Sequence, residues 1–299
     1  MVFRVTHSAS HMRRVSAMNR TLSGMDRVER QLSSGRRFER PGEDPEGAAR
    51  VLRIARRQGD IATYTENVEA GRGMLSRAES AVVGLSGVLN SARSLALKMS
   101  DSFYDGERTG QVNLAEGLID SALDLLNTSY DDMFIFGGFA NAQPPYEIDN
   151  AGVPQYNGDD GLMQLDVSDG ARSQVTIDPQ VQFNGDDGGE NLLDLLVDLR
   201  NAMENDSQGD VADTLNRFES AVSRLSQTTS EIGTLYQRLE VHESINEVQD
   251  VELERLRSIV EDTDYAEAAA TMSLRQTAYQ ASLAATARVQ GMSLLNFMR

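Results

Sequence analysis

"IATYTENVEAGRGMLSRAESAVVGLSGVLNSARSLALKM" occupies residues 61–99. Ile61, Tyr64, Val68, Gly71, Leu75, Ala78, Val82, Leu85, Leu89, Ala92, Ala96 and Met99 follow one another at alternating steps of three and four, without a break. A stripe of that period belongs to a helix that packs lengthwise on other helices. One column of the stripe is bulky (Ile61, Val68, Leu75, Val82, Leu89). The other includes Gly71, Ala78 and Ala92, whose small side chains let a neighbouring helix come close. Gly71, Leu75, Ala78, Val82, Leu85 and Leu89 are therefore the expected helix-packing residues. Carried back to Pro45 and on to Ser100, the helix would run about 84 Å at 1.5 Å per residue. That is too long for the core of an ordinary globular domain.

Just upstream stands "SSGRRFERPGEDPEGAA" (33–49). The preceding segment carries Val15, Met18, Leu22, Met25, Val28 and Leu32 at near-heptad spacing, with one stammer. Gly35 has the place of a left-handed residue closing that helix. Arg40 precedes Pro41 and must leave the α region. Asp44 fits the N-cap and Pro45 the first turn of the long helix. A helix stop and restart are thus expected within about a dozen residues, with arginines between them.

Downstream, "DSFYDGERTG" (101–110) reads as a polar turn. A third helix with Val112, Ala115, Ile119, Ala122, Leu126 and Met133 should fold back on the second as an antiparallel hairpin. Helical periodicity disappears over residues 134–189. Short alternating runs such as "LMQLDV" and "SQVTI" lie there between Gly, Asn, Asp and Pro turns, a small β-rich insertion of five or six strands. Leu192, Leu193, Leu195, Leu196 and Leu199 restart a helix. Val211, Leu215, Phe218, Val222, Leu225, Thr229, Ile232, Tyr236 and Leu239 restore the heptad, which turns polar near Glu243 and Asn246 and recovers at Leu253, Leu256 and Val260. "EDTDYAEAAA" (261–270) breaks and re-caps the chain before a final Ala-rich helix. The fold class is mainly α: long antiparallel heptad helices from both chain ends around a small central β-rich insertion. Each terminal helix has a wide apolar face and little of its own chain to pack on, so each is marginal alone.

The composition narrows the function. With 299 residues, no tryptophan and no cysteine, the chain has no disulfides, no thiolate catalysis and no cysteine-bound zinc. No run approaches the roughly 18–20 apolar residues of a membrane span, and the N-terminus lacks the pattern of a cleaved Sec signal. Residues 1–60 hold 13 Arg against 7 acidic residues, whereas residues 101–215 hold 3 Arg against 24. The basic end raises a nucleic-acid hypothesis, but no zinc finger, RNP aromatic pair or basic zipper accompanies it. His7 and His11 have zinc-ligand spacing without the glutamate of a metalloprotease helix. His242 falls near a heptad seam and reads as a half-buried packing residue. "YNGDDG", "DVSDG" and "FNGDDGG" lack the ligand order of a calcium loop and are explained by turn chemistry. With no nucleophile elbow, P-loop or dinucleotide fingerprint, no catalytic, cofactor or metal residues are assigned, and the protein is not read as an enzyme.

"QLSSGRRFERPGEDPEGAARV" (31–51) and "DYAEAAATMSLRQTAYQASLAATARVQGMSLLNFM" (264–298) resemble the N- and C-terminal signatures shared by flagellins and flagellar hook-associated protein 3. "FIFGGFANAQPPY" (134–146), the ending "GMSLLNFMR" and the Arg-Pro-Gly-Glu-Asp-Pro form of the linker resemble the hook–filament junction branch more than flagellin itself. The resemblance implies a structural subunit joining the hook-side junction protein to the filament by axial packing of terminal helices. The alternative within the family is a filament subunit. It implies hook-associated protein 1, flagellin, other copies in a ring and an export chaperone as partners, and no nucleic acid, membrane or small-molecule substrate. It implies an extracellular place at the hook–filament junction, reached by type III export without a cleaved signal.

On the same resemblance, residues 1–44 and 261–299 are inner-tube helices, 45–133 and 190–260 the outer-tube domain, and 134–189 a surface domain. The assembly interface is expected at Leu32, Gly35, Arg36, Arg37, Arg40, Asp44, Pro45, Gln276, Tyr279, Gln280, Leu283, Arg288, Leu294, Leu295 and Phe297. The linker arginines Arg36, Arg37 and Arg40 could then pair with carboxylates of neighbouring subunits, or with those of their own chain.

Overall fold

The computed structural model describes residues 3–100, 108–149, 152–186 and 188–297. Six α-helices are present among them: α1 (Phe3–Ser34), α2 (Pro45–Met99), α3 (Arg108–Leu126), α4 (Leu192–Glu204), α5 (Gln208–Glu261) and α6 (Tyr265–Phe297). Six short strands lie between α3 and α4: β1 (Ser129–Tyr130), β2 (Met133–Phe134), β3 (Tyr146–Ile148), β4 (Pro154–Tyr156), β5 (Gln164–Ser168) and β6 (Ala171–Gln174). The chain divides into two compact units, residues 1–59 with 250–299, and residues 60–249. The helices α2 and α5 each contribute to both.

In the 60–249 unit the heptad stripe of α2 is the core. Val68, Leu75, Val82, Leu89, Ala92 and Ala96 are fully buried, together with Ala122 and Leu126 of α3 and Phe218, Leu225, Ile232 and Leu239 of α5. The expected packing residues Gly71, Ala78 and Leu85 are buried on the same face. Going up α2 from residue 73 to 84, the helix meets first Tyr130 and then Leu125, so α3 runs antiparallel to it. Helix α5 is also antiparallel: Arg72 pairs with Glu243, and Arg93 with Glu219 at 3.4 Å. Helix α4 is buried on almost every side through Leu192, Leu193, Leu195, Leu196 and Leu199. Its free N-terminal amides are met by the Asn191 side chain, which accepts from Leu193 N at 3.0 Å and Asp194 N at 3.2 Å.

The strands form three separate antiparallel two-stranded sheets. None is large enough to stand alone, so each is held by the helices. The β5–β6 hairpin is clipped from two sides: Asn67 Nδ2 donates to Asp166 O (2.8 Å) and Asn246 Nδ2 to Val167 O (2.9 Å). A buried asparagine thus replaces the apolar heptad residue of α5 where a sheet edge must be satisfied. Phe136 meets Phe183 edge-on in the core of this unit, ring centroids 4.9 Å apart.

Two expectations change. The third helix was expected to reach Met133, but it ends at Leu126, and Met133 lies in β2. Asn127 leaves the helix to clamp the backbone of Tyr146 through both amide atoms, and Thr128 turns its hydroxyl back to Leu125 O. Asp131 and Asp132 then take φ of 49° and 62°, the left-handed pair that a two-residue hairpin needs. A single-turn π-helix, Gln180–Asn184, is the second difference; Gly185 closes it at φ 75°.

Gly71 is a close-approach position. A Cβ there would stand 2.7 Å from Val175 Cγ1 and 3.2 Å from Leu239 Cδ1, with Leu165 Cδ1 at 3.6 Å. Gly71→Leu must therefore displace the β5–β6 hairpin and α5 together. Overpacking costs about 1–3 kcal/mol, and the better helix propensity returns roughly 1 kcal/mol. Three side chains must move, so a net loss of about 2 kcal/mol is expected, a fall in melting temperature of roughly 4–8 °C. Unchanged thermal unfolding would refute the close-packing role.

Candidate assembly interface

In the other unit, α1 and α6 pack antiparallel. Gly35 at the end of α1 meets Tyr265 at the start of α6, and Gly24 lies under the Arg275 guanidinium. The least exposed row of α1 includes Met18, Leu22, Met25, Val28 and Leu32, the heptad seam of the sequence without Val15, which is 38% exposed. On α6 the matching row is Ala268, Met272, Arg275, Tyr279, Ser282 and Thr286. The core of this unit is thin: Val28, Phe38, Ala48 and Ala268 are its buried apolar residues among the described ones. Outward, Met12 is 70% exposed and Leu274 71%.

The linker joining α1 to α2 is braced within the chain. Gly35 takes φ 72° and donates to Gln31 O at 2.9 Å, closing α1 as its position predicts. The backbone then pairs with the α5–α6 junction: Arg37 N donates to Glu261 O (2.6 Å) and Thr263 N to Gly35 O (2.8 Å). Arg36 Nε lies 3.1 Å from Glu261 Oε1, and Arg257 Nε 2.8 Å from Glu261 Oε2. One nearly buried carboxylate therefore joins the linker to the end of α5. Arg37 reaches Asp44 Oδ2 at 2.7 Å, and Gln31 Nε2 donates to Arg37 O at 2.6 Å. Asp44 Oδ1 accepts from Gly47 N at 2.9 Å, capping α2 with Pro45 in its first turn. Asp264 does the same for α6, accepting from Ala266 and Glu267 N.

The predicted interface residues thus fall into three sets. Arg36 and Arg37 are engaged inside the chain, so of the three linker arginines only Arg40 is exposed without an ion pair among the described residues. Gln276, Gln280, Leu283 and Arg288 are exposed on α6, whereas Tyr279 lies on the row facing α1. The side chains of Leu294, Leu295 and Phe297 lie outside the described residues, as do those of His7 and His11, and residues 101–107 of the predicted polar turn. His242 is half-buried, with Nδ1 enclosed and unpaired. In the Asp-rich loops, Asp159 Oδ1 accepts from Phe139 N (2.7 Å) and Gly161 N (2.9 Å), so this carboxylate braces a turn. Glu261, which ties the linker to α5, was missed because its partner Arg36 is remote in sequence.

Acid should loosen this linker. The Gly47 N–H, then Arg37, holds the Asp44 carboxyl below its ordinary 3.8. The Glu39 N–H, then Arg27 and Arg30, holds Glu43 below 4.5. Both are depressed in the folded chain, so their contribution is complete above the ordinary range and is lost as pH falls through the lowered values. Amide exchange or proteolysis at residues 36–44 should be unchanged from pH 8 to 5 and rise below about pH 4. Flat protection down to pH 2.5 would contradict the bracing role of these carboxylates.

Helices from opposite chain ends thus pair over a thin core and leave apolar side chains outside. Family models for the bacterial flagellin N-terminal helical region and C-terminal helical region match residues 5–141 and 215–298, most of the chain, which belongs to the flagellin family. Within that family it is similar to flagellar hook-associated protein 3 of Escherichia coli (strain K12), 23% identical over 90% of this chain and 91% of that protein. A flagellar hook-associated protein from Vibrio parahaemolyticus has the same fold, with TM-score 0.68 and 20% identity over 73% of this chain and 99% of that one. So does hook-associated protein 3 from Legionella pneumophila, with TM-score 0.61 and 14% identity over 70% of this chain and 99% of that one.

Proposed function

We propose that this chain is a structural component of the bacterial flagellum, at the junction of hook and filament. The observation that carries the reading is the α1–α6 pair: its inner row is seamed, its core is thin, and Met12, Leu274 and Leu283 face outward at 70%, 71% and 43% exposure. Apolar surface arranged along a helix pair is satisfied by axial packing against like pairs. Residues 1–44 and 261–299 then form the inner layer, 45–133 and 190–260 the outer helical layer, and 134–189 the solvent-facing part. Hook-associated protein 1 lies on one side and flagellin on the other, with further copies in a ring. An export chaperone covers the terminal helices before docking, since each is marginal alone.

The relatives named hook-associated protein 3 favour the junction over the filament body. Labelling decides between them. An epitope tag on this chain should give one narrow band at the filament base. Label along the whole filament would make it a filament subunit instead.

A further inference from the structure

On α5 the hydrophobic pattern changes sides. The inner row of the helix is apolar through Ile232, Leu235 and Leu239, then becomes polar at His242 and Asn246. At that level the apolar residues stand outside: Val241 is 57% exposed, Ile245 40% and Val248 66%. Steps of four and three put these three in one straight ridge. Glu240 and Glu247 border the ridge, both exposed and without a cation among the described residues. Asn246 explains why the inside is polar, since it holds the β5–β6 hairpin. Nothing among the described residues covers the apolar outside.

The chemistry this ridge would recognise is a helix face with one large apolar side chain, small neighbours and arginines alongside. The chain has such a face at the start of α2: Ala49, Leu52, Arg53 and Arg56 are all exposed, Leu52 by 60%. Neither Arg53 nor Arg56 has an ion pair among the described residues. We infer that the Val241–Val248 ridge of one copy receives the Leu52 face of a second copy, with Arg53 and Arg56 against Glu240 and Glu247. The two surfaces differ, so the contact is head-to-tail. Such contacts propagate into rings or helical arrays and do not close a dimer. The inference rests on the axial-subunit reading and adds to it a lateral contact away from the terminal helices.

The chain has no cysteine, so introduced thiols report without background. Leu52→Cys and Val248→Cys chains are co-expressed in cells lacking the native chain, and their flagella are isolated and oxidised. A disulfide-linked dimer of this chain is expected when both variants are present and not with either alone. Glu240→Arg with Glu247→Arg in the Val248→Cys chain should reduce that dimer at least tenfold. Adding Arg53→Glu and Arg56→Glu to the Leu52→Cys chain should restore it, which separates a charge contact from misfolding. No dimer, a dimer from Val248→Cys alone, or no rescue by the paired reversal would overturn the inference. If filaments are attached in those cells, the junction reading survives that failure. Failure of the unaltered chain to restore filaments would instead remove the reading itself.

Discussion

Removing residues 270–299 should abolish assembly while leaving the 60–249 unit folded. The cut takes away nearly all of α6, the helix against which α1 packs through Val28 and the Arg275–Gly24 contact. Most of a helix's stability comes from tertiary packing of its apolar face, and without α6 the buried apolar residues of its unit are too few to hold α1. The 60–249 unit keeps its own core of α2, α3, α4 and α5 residues. The truncated protein should lose the helical signal of α1 and α6 and keep a cooperative melt within about 2 °C of the full chain. Cells carrying only this form should make no attached filaments. Normal filaments on such cells would show that the terminal helix pair is not the axial contact.

The fold was legible where its determinants are local. Gly35, Asp44 and Pro45 mark helix ends, because a positive φ and a side-chain cap are requirements of single residues. The stripe from Ile61 to Met99 was legible because its period continues over the whole helix. The hairpin at Asp131–Asp132 was not, because two aspartates in the left-handed region lack the Asn-Gly or Asp-Gly signal. Nor could periodicity show which apolar row of α5 faces inward near residue 245. That depends on Asn246 reaching a strand edge 79 residues away in the chain. Of the candidate interface, the linker stop and restart were legible. The Arg36–Glu261 pair was not, since its partners are 225 residues apart in the chain; with the Arg37–Asp44 pair it turns two of the three linker arginines into internal braces.

The second large effect is on the organelle. On the proposed junction role, the filament has nothing to be seated on when this subunit is missing. Deleting the gene should give cells with complete hooks, no filaments and no swimming, with filament protein recovered from the medium. Re-expression of the unaltered chain should restore filaments, and the 1–269 truncation should not. Electron microscopy of hooks from the deletion strain, with the filament protein assayed in the culture medium, tests the central claim most directly. Bare hooks with filament protein in the medium are the expected result; attached filaments of normal length would contradict it.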